Sequence, residues 1–184
     1  MPNPSKTYFY KETFKVIRSL NSKKNLKKIL DVGCGEAKFY PYFRKKNYLG
    51  LDIDDIKIKK IKKKYPKCKI KKADFNKIKI KKKFDIILCL EVNSLNRADS
   101  PQKSLNFLNK IISMTSKNGY VLLNFWKIFY FQNEEKIKLI FKKNNISIVK
   151  KIEYGFFDKN IIFLFWKIIF HLYPILLPFA KLLR

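Results

Sequence analysis

Two glycines and a series of aspartates are the residues of this chain whose types and spacing suggest chemistry. Residues 29–39 have the sequence ILDVGCGEAKF, in which Asp31 precedes the turn Gly33-Cys34-Gly35. Glycine has no Cβ, so the backbone can turn tightly there and approach a ligand closely. No Gly-Lys-Ser/Thr follows, as a phosphate-binding Walker loop would require. A carboxylate before the turn suits an ammonium group of the ligand instead.

Two further aspartates follow the glycine turn at informative positions. Asp52 comes 21 residues after Asp31, the separation at which a nucleotide-binding βαβ unit presents an acid to ribose hydroxyls. Asp74, in the sequence KADF, is placed to accept a hydrogen bond from an exocyclic amine of a base. A single acid of this kind is more often a helix cap or a turn residue. Three acids after three successive strands, beside a Gly-x-Gly turn, favour a ligand site.

Alternating strands and helices are predicted to position these residues. Short apolar runs separated by helix-length basic stretches predict a mostly parallel sheet covered on both faces, an α/β fold of three layers. The apolar run at 84–90 is continuous, as in a strand buried on both faces. The predicted strands are 28–32, 48–52, 68–72, 84–90, 120–125 and 146–152, and the predicted helices are 5–21, 36–46, 54–65, 101–116 and 134–143. Asp54 is predicted to cap the helix over 54–65.

The motifs over residues 26–125 resemble those of class I S-adenosylmethionine-dependent methyltransferases, in particular a small bacterial type 11-like branch. The resemblance implies a Rossmann-like α/β domain with S-adenosylmethionine as its cofactor. The cofactor-binding residues that it implies are Asp31, Gly33, Cys34 and Gly35 for the methionine moiety, Asp52 for the ribose, Ile53, Asp74 and the Phe75 backbone for the adenine, and Leu90 beside the sulfonium.

The third glycine of that family's turn is Ala37 in this chain. A dehydrogenase is a weaker alternative, because a similar turn can hold a pyrophosphate. The Asp74-Phe75 pair, together with Cys34 between the two glycines, favours the methyl donor.

The region after the fourth strand bears on the methyl acceptor. Many relatives place Glu-His there, whereas this chain has Ser94-Leu95, and its single histidine is His171. Glu91 is the acid placed to act as a catalytic base, although it could equally orient a loop or contact the donor. An Asn/Asp-Pro-Pro-aromatic motif and a Pro-Cys nucleophile are both absent from the sequence, so methylation of nucleic-acid bases lacks its usual signatures. We therefore expect transfer to a small-molecule, glycan or lipid-linked acceptor, at oxygen; an RNA-directed enzyme and a non-catalytic donor-binding scaffold are the alternatives.

The composition adds a strong positive charge. Lys and Arg number 42 against 14 for Asp and Glu, a formal charge of +28. Such a charge favours anionic partners. However, the lysines are spread along the chain among many Ile, Asn and Phe residues, as a genome poor in G and C would produce. Nucleic acid is therefore the less favoured partner. The three cysteines form no CxxC pair, so neither a disulfide framework nor a metal site is predicted, and a cytoplasmic location fits.

An apolar tail forms the last compositional segment. Between residues 161 and 183 the polar residues and prolines are spaced 4, 3, 4 and 3 residues apart (Lys167, His171, Pro174, Pro178 and Lys181). That spacing predicts helices lying on the surface of an anionic membrane. A last strand at 162–166 followed by a core or dimer helix is the alternative. The predicted organisation is a helix in 1–25, the cofactor domain in 26–152 and this extension in 153–184, peripheral on the cytoplasmic membrane face.

Overall fold

The computed structural model describes residues 4–150 and contains a five-stranded sheet in which every neighbouring pair of strands is parallel. The strand order is β3-β2-β1-β4-β5, so the direction of strand addition reverses between β1 and β4. The strands are β1 Lys28–Val32, β2 Asn47–Asp52, β3 Ile70–Lys72, β4 Phe84–Cys89 and β5 Thr115–Leu123; the α-helices are α1 Pro4–Ser22, α2 Asp55–Lys64, α3 Asn93–Asn96, α4 Pro101–Ser113 and α5 Lys127–Lys143.

The two faces of the sheet are covered by different elements, which confirms the predicted three-layer α/β architecture. Right-handed connections put the chain after β1 and β2 on one face and the chain after β3 and β4 on the other. In β1, Leu30 and Val32 point into an apolar cluster with buried residues of α4 and α5, such as Leu108 and Ile137. Side chains alternate along a strand, so Asp31 of β1 points to the opposite face. There α2 buries Ile58 and Ile61.

Local hydrogen bonds explain where the helices that flank the site begin. The Asp54 carboxylate accepts the backbone N–H groups of Ile56 and Lys57, as predicted for the helix that follows the second strand. The Lys57 amide is the main reason that the pKa of Asp54 lies below its usual range. Ser100 caps α4 by accepting the Lys103 N–H, with Pro101 in the first turn. These caps fix both helices at the carboxyl edge of the sheet.

The predicted helix over 36–46 is wrong. The chain makes turns after the glycine pair and then a short 3-10 helix, Tyr40–Phe43, that contains Pro41. Ala37 has φ +51°, which interrupts a right-handed helix. The glycine turn is therefore not followed directly by the N-terminus of an α-helix.

The last two predicted strands also need correction. Residues 146–150 contain no strand, and Ile148 and Val149 are exposed, so the sixth predicted strand is wrong over that part; residues 151 and 152 lie outside the described residues. The fifth strand begins at Thr115 rather than at residue 120, because an irregularity between Phe84 and Ile86 of β4 lets residues 116–119 bulge within β5.

Residues 15–149 form one compact unit, and residues 4–14 belong with Lys150 to a second one. Within the second unit, the Lys150 ammonium lies 3.2 Å from the Glu12 carboxylate. Among the described helices, we find none long and apolar enough to cross a membrane. The apolar segment 161–183 lies outside the described residues, so its membrane contact and the domain boundaries stay predictions.

Candidate functional site

The glycine turn after β1 is built from residues in the left-handed region of backbone space. Gly33 and Gly35 have φ of +67° and +53°, and Ala37 follows with +51°. A Cβ on Gly33 would lie 2.8 Å from Cγ2 of Val92, in the loop after β4. The Cys34 N–H donates to the carbonyl of Leu51 in β2 at 3.0 Å. The turn therefore packs closely against the loops after both β2 and β4.

Asp52, the last residue of β2, joins the turn to its surroundings. One carboxylate oxygen accepts the Gly35 N–H at 2.7 Å, and the other accepts the Asp54 N–H at 3.0 Å. The Asp52 carbonyl accepts the Ala73 N–H at 2.9 Å, which attaches the loop after β3. A carboxylate oxygen can accept two hydrogen bonds, so each retains one acceptor position.

The residues predicted to border an adenine lie on either side of Asp52. The Ile53 side chain is 67% exposed, which leaves an apolar surface next to the carboxylate. The Asp74 carboxylate accepts the Asn76 N–H at 2.9 Å. Phe75 is buried with its ring 5.0 Å from that of Phe107 in α4. The packing of the Phe75 side chain therefore holds the Phe75 backbone in place.

Lys110 in α4 holds this same loop, and sequence reasoning missed it. Its ammonium donates to the carbonyls of Phe75, Asn76 and Ile78 at 2.5, 3.0 and 2.7 Å. Partial burial lowers the pKa of Lys110, while the nearby Asp74 charge opposes that shift. Nothing in the sequence distinguishes this lysine from its many neighbours.

Two asparagines, which sequence reasoning also missed, connect the loops after β4 and β5. Glu91 is exposed and has φ +57°, and its backbone N–H donates to the Asn124 side-chain oxygen at 2.6 Å. Asn96 accepts the Trp126 N–H at 2.8 Å and donates to the carbonyls of Val92 and Asn124. Both asparagines are buried, and their side chains hold Glu91 in its left-handed conformation. We call this set of hydrogen bonds the asparagine clamp.

Trp126 and Phe129 form an aromatic wall beside the asparagine clamp. The Arg97 guanidinium lies 3.9 Å from the centre of the Trp126 ring, a cation–π contact. A cavity of about 250 Å³ opens next to it, bordered by Pro101, Phe129 and Gln132 among others. Leu90, which connects β4 to Glu91, is half-buried.

Asp31 is more deeply buried than the other predicted acids of the site, Asp52, Asp74 and Glu91. It is 3% exposed, and its carboxylate accepts the Tyr48 hydroxyl at 2.5 Å. Burial raises the pKa of Asp31 from 3.8 to about 7, with a smaller contribution from the Asp52 charge. Burial also raises the pKa of Tyr48, so its hydroxyl keeps the proton that it donates. The carboxylate thus already has a buried partner beneath the glycine turn.

The three cysteines are buried thiols. Burial raises the pKa of Cys34 and Cys89 far above the usual value, and that of Cys68 to about 12. Cys34 contributes to the turn through its backbone, while its sulfur packs against Gly50. Within residues 4–150, no group of three His, Cys, Asp or Glu side chains is arranged to hold a metal ion.

Comparison with known proteins identifies the family. The model of a family described as "Methyltransferase domain" matches residues 23–160. The chain belongs to this methyltransferase family. Over 122 residues it is 30% identical to "Putative methyltransferase 235L" of Invertebrate iridescent virus 6, a match that covers 56% of this chain and 46% of the viral protein.

Solved methyltransferase structures share the fold. S-adenosylmethionine-bound CalS10 from Micromonospora echinaspora, an amino pentose methyltransferase, is 18% identical, with a TM-score of 0.54 over 63% of this chain and 50% of CalS10. Magnesium protoporphyrin IX methyltransferase (ChlM) from Synechocystis PCC 6803, with bound SAH, is 15% identical, with a TM-score of 0.57 over 79% of this chain and 77% of ChlM. The chain thus spans about half the length of CalS10 and of the viral relative.

Substituting Gly33 tests the close packing of the glycine turn. We expect Gly33→Ala to destabilise the protein for two reasons: the left-handed φ costs about 1–2 kcal/mol with a Cβ present, and the new methyl meets Val92. Adding Val92→Ala should recover only the steric part. Urea unfolding of the two variants, with Val92→Ala alone as the reference, measures this. Equal stability of Gly33→Ala and the wild type would contradict the described turn.

The raised pKa of Asp31 predicts how stability depends on pH. The folded protein keeps the Asp31 proton up to about pH 7, whereas an unfolded aspartate loses it near pH 4. The Asp31 contribution to the free energy of unfolding therefore falls as pH rises from about 4 to 7, by at most about 4 kcal/mol. Asp31→Asn should remove this fall, so its stability relative to wild type should grow over that range. Asp99→Asn, at an exposed acid, should show no such growth in urea unfolding at several pH values.

Proposed function

We propose that this chain is an S-adenosylmethionine-dependent methyltransferase that acts on a small-molecule, glycan or lipid-linked acceptor, with oxygen as the methylated atom. The observation that carries the proposal is the Asp52 carboxylate at the carboxyl end of β2, hydrogen-bonded to the glycine turn beside the reversal of strand order. In open α/β sheets, ligands bind at such a reversal, outside the carboxyl ends of the strands.

The residues at this edge fit the donor. The Asp52 oxygens have acceptor positions left for two ribose hydroxyls, and the exposed Ile53 side chain offers an apolar surface to a base. Asp74 and the Phe75 backbone border the same surface. Gly33 and Gly35, together with Cys34, let the main chain approach the methionine part. Asp31 lies beneath the glycine turn, where it accepts the Tyr48 hydroxyl. Its contribution to the part of the site that holds the methionine moiety is therefore indirect.

S-adenosylmethionine, when bound, supplies a methyl group on a sulfonium, and the acceptor atom attacks that methyl group in line. The task of the protein is to position the acceptor, which can account for much of the rate enhancement. Glu91 follows Leu90 at the end of β4, next to β1 and its glycine turn. We assign it the removal of the proton from an acceptor hydroxyl. Its left-handed backbone, held by Asn124, is the kind of strained conformation that clusters at functional sites.

The proposed acceptor class rests on the aromatic wall and on the sequence. Trp126, Phe129 and Pro101 border a cavity of about 250 Å³, and Arg97 adds a cationic group beside it. These dimensions suit a small acceptor or the end of a larger one. CalS10, which shares the fold, is a methyltransferase of an amino pentose, and a sugar-sized acceptor would suit this cavity as well.

Transfer of label tests the function. The protein is incubated with methyl-tritiated S-adenosylmethionine and a cell extract separated into small-molecule, glycan, lipid and RNA fractions. We expect label in one of the first three. Label in RNA alone would replace the proposed acceptor class with RNA. Donor binding without label in any fraction would contradict catalysis and indicate a binding scaffold.

Asp52→Ala should weaken binding of S-adenosylmethionine. A hydrogen bond to a charged group contributes about 1.5–3 kcal/mol, so the dissociation constant should rise roughly 10- to 150-fold. Calorimetric titration measures it, and thermal unfolding checks the loss of the Gly35 and Asp54 contacts. Asp99→Ala, which removes an exposed acid from the start of the α4 region, is the matched control. Unchanged affinity in a folded Asp52→Ala variant would remove Asp52 from the donor site.

Glu91→Gln should lower the rate of label transfer while donor affinity changes less than about threefold. Glutamine keeps the shape of the side chain but cannot take a proton, and general base catalysis typically contributes about 10²- to 10⁴-fold. The rate is measured with the fraction that accepts label. Parallel losses in rate and donor affinity would make Glu91 a binding residue instead.

Asn124→Ala should loosen the loop that carries Glu91. It removes the acceptor of the Glu91 N–H, so hydrogen exchange of that amide should accelerate, and label transfer should fall with little change in donor affinity. A lost buried partner costs about 1–3 kcal/mol of stability. Asn124→Asp keeps an acceptor oxygen and should retain slow exchange. If exchange at Glu91 is the same in Asn124→Ala and the wild type, the clamp does not hold this loop.

A further inference from the structure

The positive charge of the chain is concentrated in one stretch, which runs from α2 through β3 to the start of β4. Residues 57–83 contain 15 lysines and a single acid, Asp74, which gives this stretch a formal charge of +14, half of the total of +28. The other 108 residues of 15–149 contain 19 lysines and arginines. The expectation that the lysines are spread along the chain by a uniform compositional bias is therefore wrong for this stretch, because such a bias would distribute them evenly. We call these fifteen side chains the lysine edge.

All fifteen lysines are exposed. Two of them pair with acids at the start of α2, Lys57 with Asp54 and Lys72 with Asp55. With one acid in the whole segment, internal pairing cannot neutralise the others. A concentration of like charge costs free energy through self-repulsion. That cost is relieved when a polyanion binds.

The fold carries the lysine edge from one face of the sheet, past β3, and across the opposite face to the start of β4, where Lys83 contacts the Ser113 carbonyl. The α2 lysines lie on one face of the sheet, and Lys71 and Lys72 lie in β3, the outermost strand. Residues 77–83 lie on the opposite face, where Ile78 and Ile80 pack against the core cluster shared with α4. Lysines alternate with these isoleucines and point outward. The positive surface therefore curves from one face, over the edge, to the other.

The curvature of this positive surface determines which kind of polyanion can contact all of it. A membrane is flat on this scale and contacts one side of the edge at a time, and the apolar side chains of the segment, such as Ile58, Ile61 and Ile80, point inward and cannot insert into lipid. Duplex nucleic acid has a persistence length of about 50 nm and does not bend around layers about 10 Å apart. A single strand is flexible enough to follow the lysines.

We propose that the lysine edge binds single-stranded nucleic acid through its phosphodiester backbone. The lysine edge displays ammonium groups and no row of exposed aromatic rings, so it recognises phosphates rather than bases. The contacts are electrostatic, and their affinity follows counterion release. This surface is independent of the proposed methyl transfer, because none of its lysines is assigned to the donor or acceptor sites.

Two charge-matched quadruple variants test the proposal. The edge variant carries Lys60→Gln, Lys63→Gln, Lys79→Gln and Lys82→Gln; the control carries Lys24→Gln, Lys45→Gln, Lys117→Gln and Lys143→Gln, four exposed lysines outside the edge. Fluorescence anisotropy measures binding of a labelled 20-nucleotide oligo(U) from 50 to 300 mM KCl. The edge variant should bind at least about tenfold more weakly, with a salt slope shallower by about 0.7 per lost phosphate contact. The control should stay within about threefold of wild type.

Further binding measurements distinguish single-stranded nucleic acid from a duplex and from a membrane. Oligo(dT) of the same length should bind within about threefold of oligo(U), a duplex should bind more weakly, and vesicles with 30% phosphatidylserine should bind less than the oligonucleotides. The doubles Lys60→Gln/Lys63→Gln and Lys79→Gln/Lys82→Gln should each weaken binding, because the strand contacts both faces. Equal losses in the edge and control variants, or tighter binding to vesicles or duplex, would overturn the proposal. Calorimetry with S-adenosylmethionine should give the same affinity in all variants, which separates this result from the donor site.

Discussion

The carboxylate of Asp52 accepts the Gly35 N–H on one oxygen and the Asp54 N–H on the other, and the geometry of the proposed donor site at the carboxyl edge depends on this pair of bonds. They hold a left-handed glycine turn against the end of β2 and set the start of α2. Through the Asp52 carbonyl they also attach the loop after β3. Three loops from three different strands thus meet at one residue. A ligand that binds there finds a surface that is already organised, which lowers the ordering cost of binding.

The carboxyl edge consists of two halves that are held by different means. The glycine-turn half uses a charged carboxylate and the cation Lys110, each bonded to main-chain groups. The half after β4 and β5 uses the neutral amides of Asn96 and Asn124. Val92 connects the two, because it fills the space that a side chain at Gly33 would need.

Much of the fold could be predicted from the sequence, because strand and helix periodicities are local. The strand Lys28–Val32, the Asp54 cap and the order of the five strands along the chain were accessible in this way. The turns and the short 3-10 helix that follow the glycine turn could not be predicted, because Ala37 adopts a conformation that its residue type disfavours and that only tertiary packing can impose. Of the predicted site residues, Asp52 and Ile53 lie together at the edge, whereas Asp31 is turned toward Tyr48. Lys110 and the asparagine clamp act across 28 to 35 residues of chain, where single-sequence patterns carry no signal.

Among the strands of residues 4–150, β3 is the outermost on its side of the sheet; it is three residues long, and two of the three are exposed lysines. An unpaired strand edge is a template on which another chain can add a strand, and short length and charge are the usual protections. Two copies of this protein that approach edge to edge would bring like charges together before any main-chain hydrogen bond could form. The lysines of β3 therefore disfavour self-association of the protein through this edge of the sheet. A variant engineered to reduce the charge of this strand would gain a less repulsive surface and, with it, a route to aggregation.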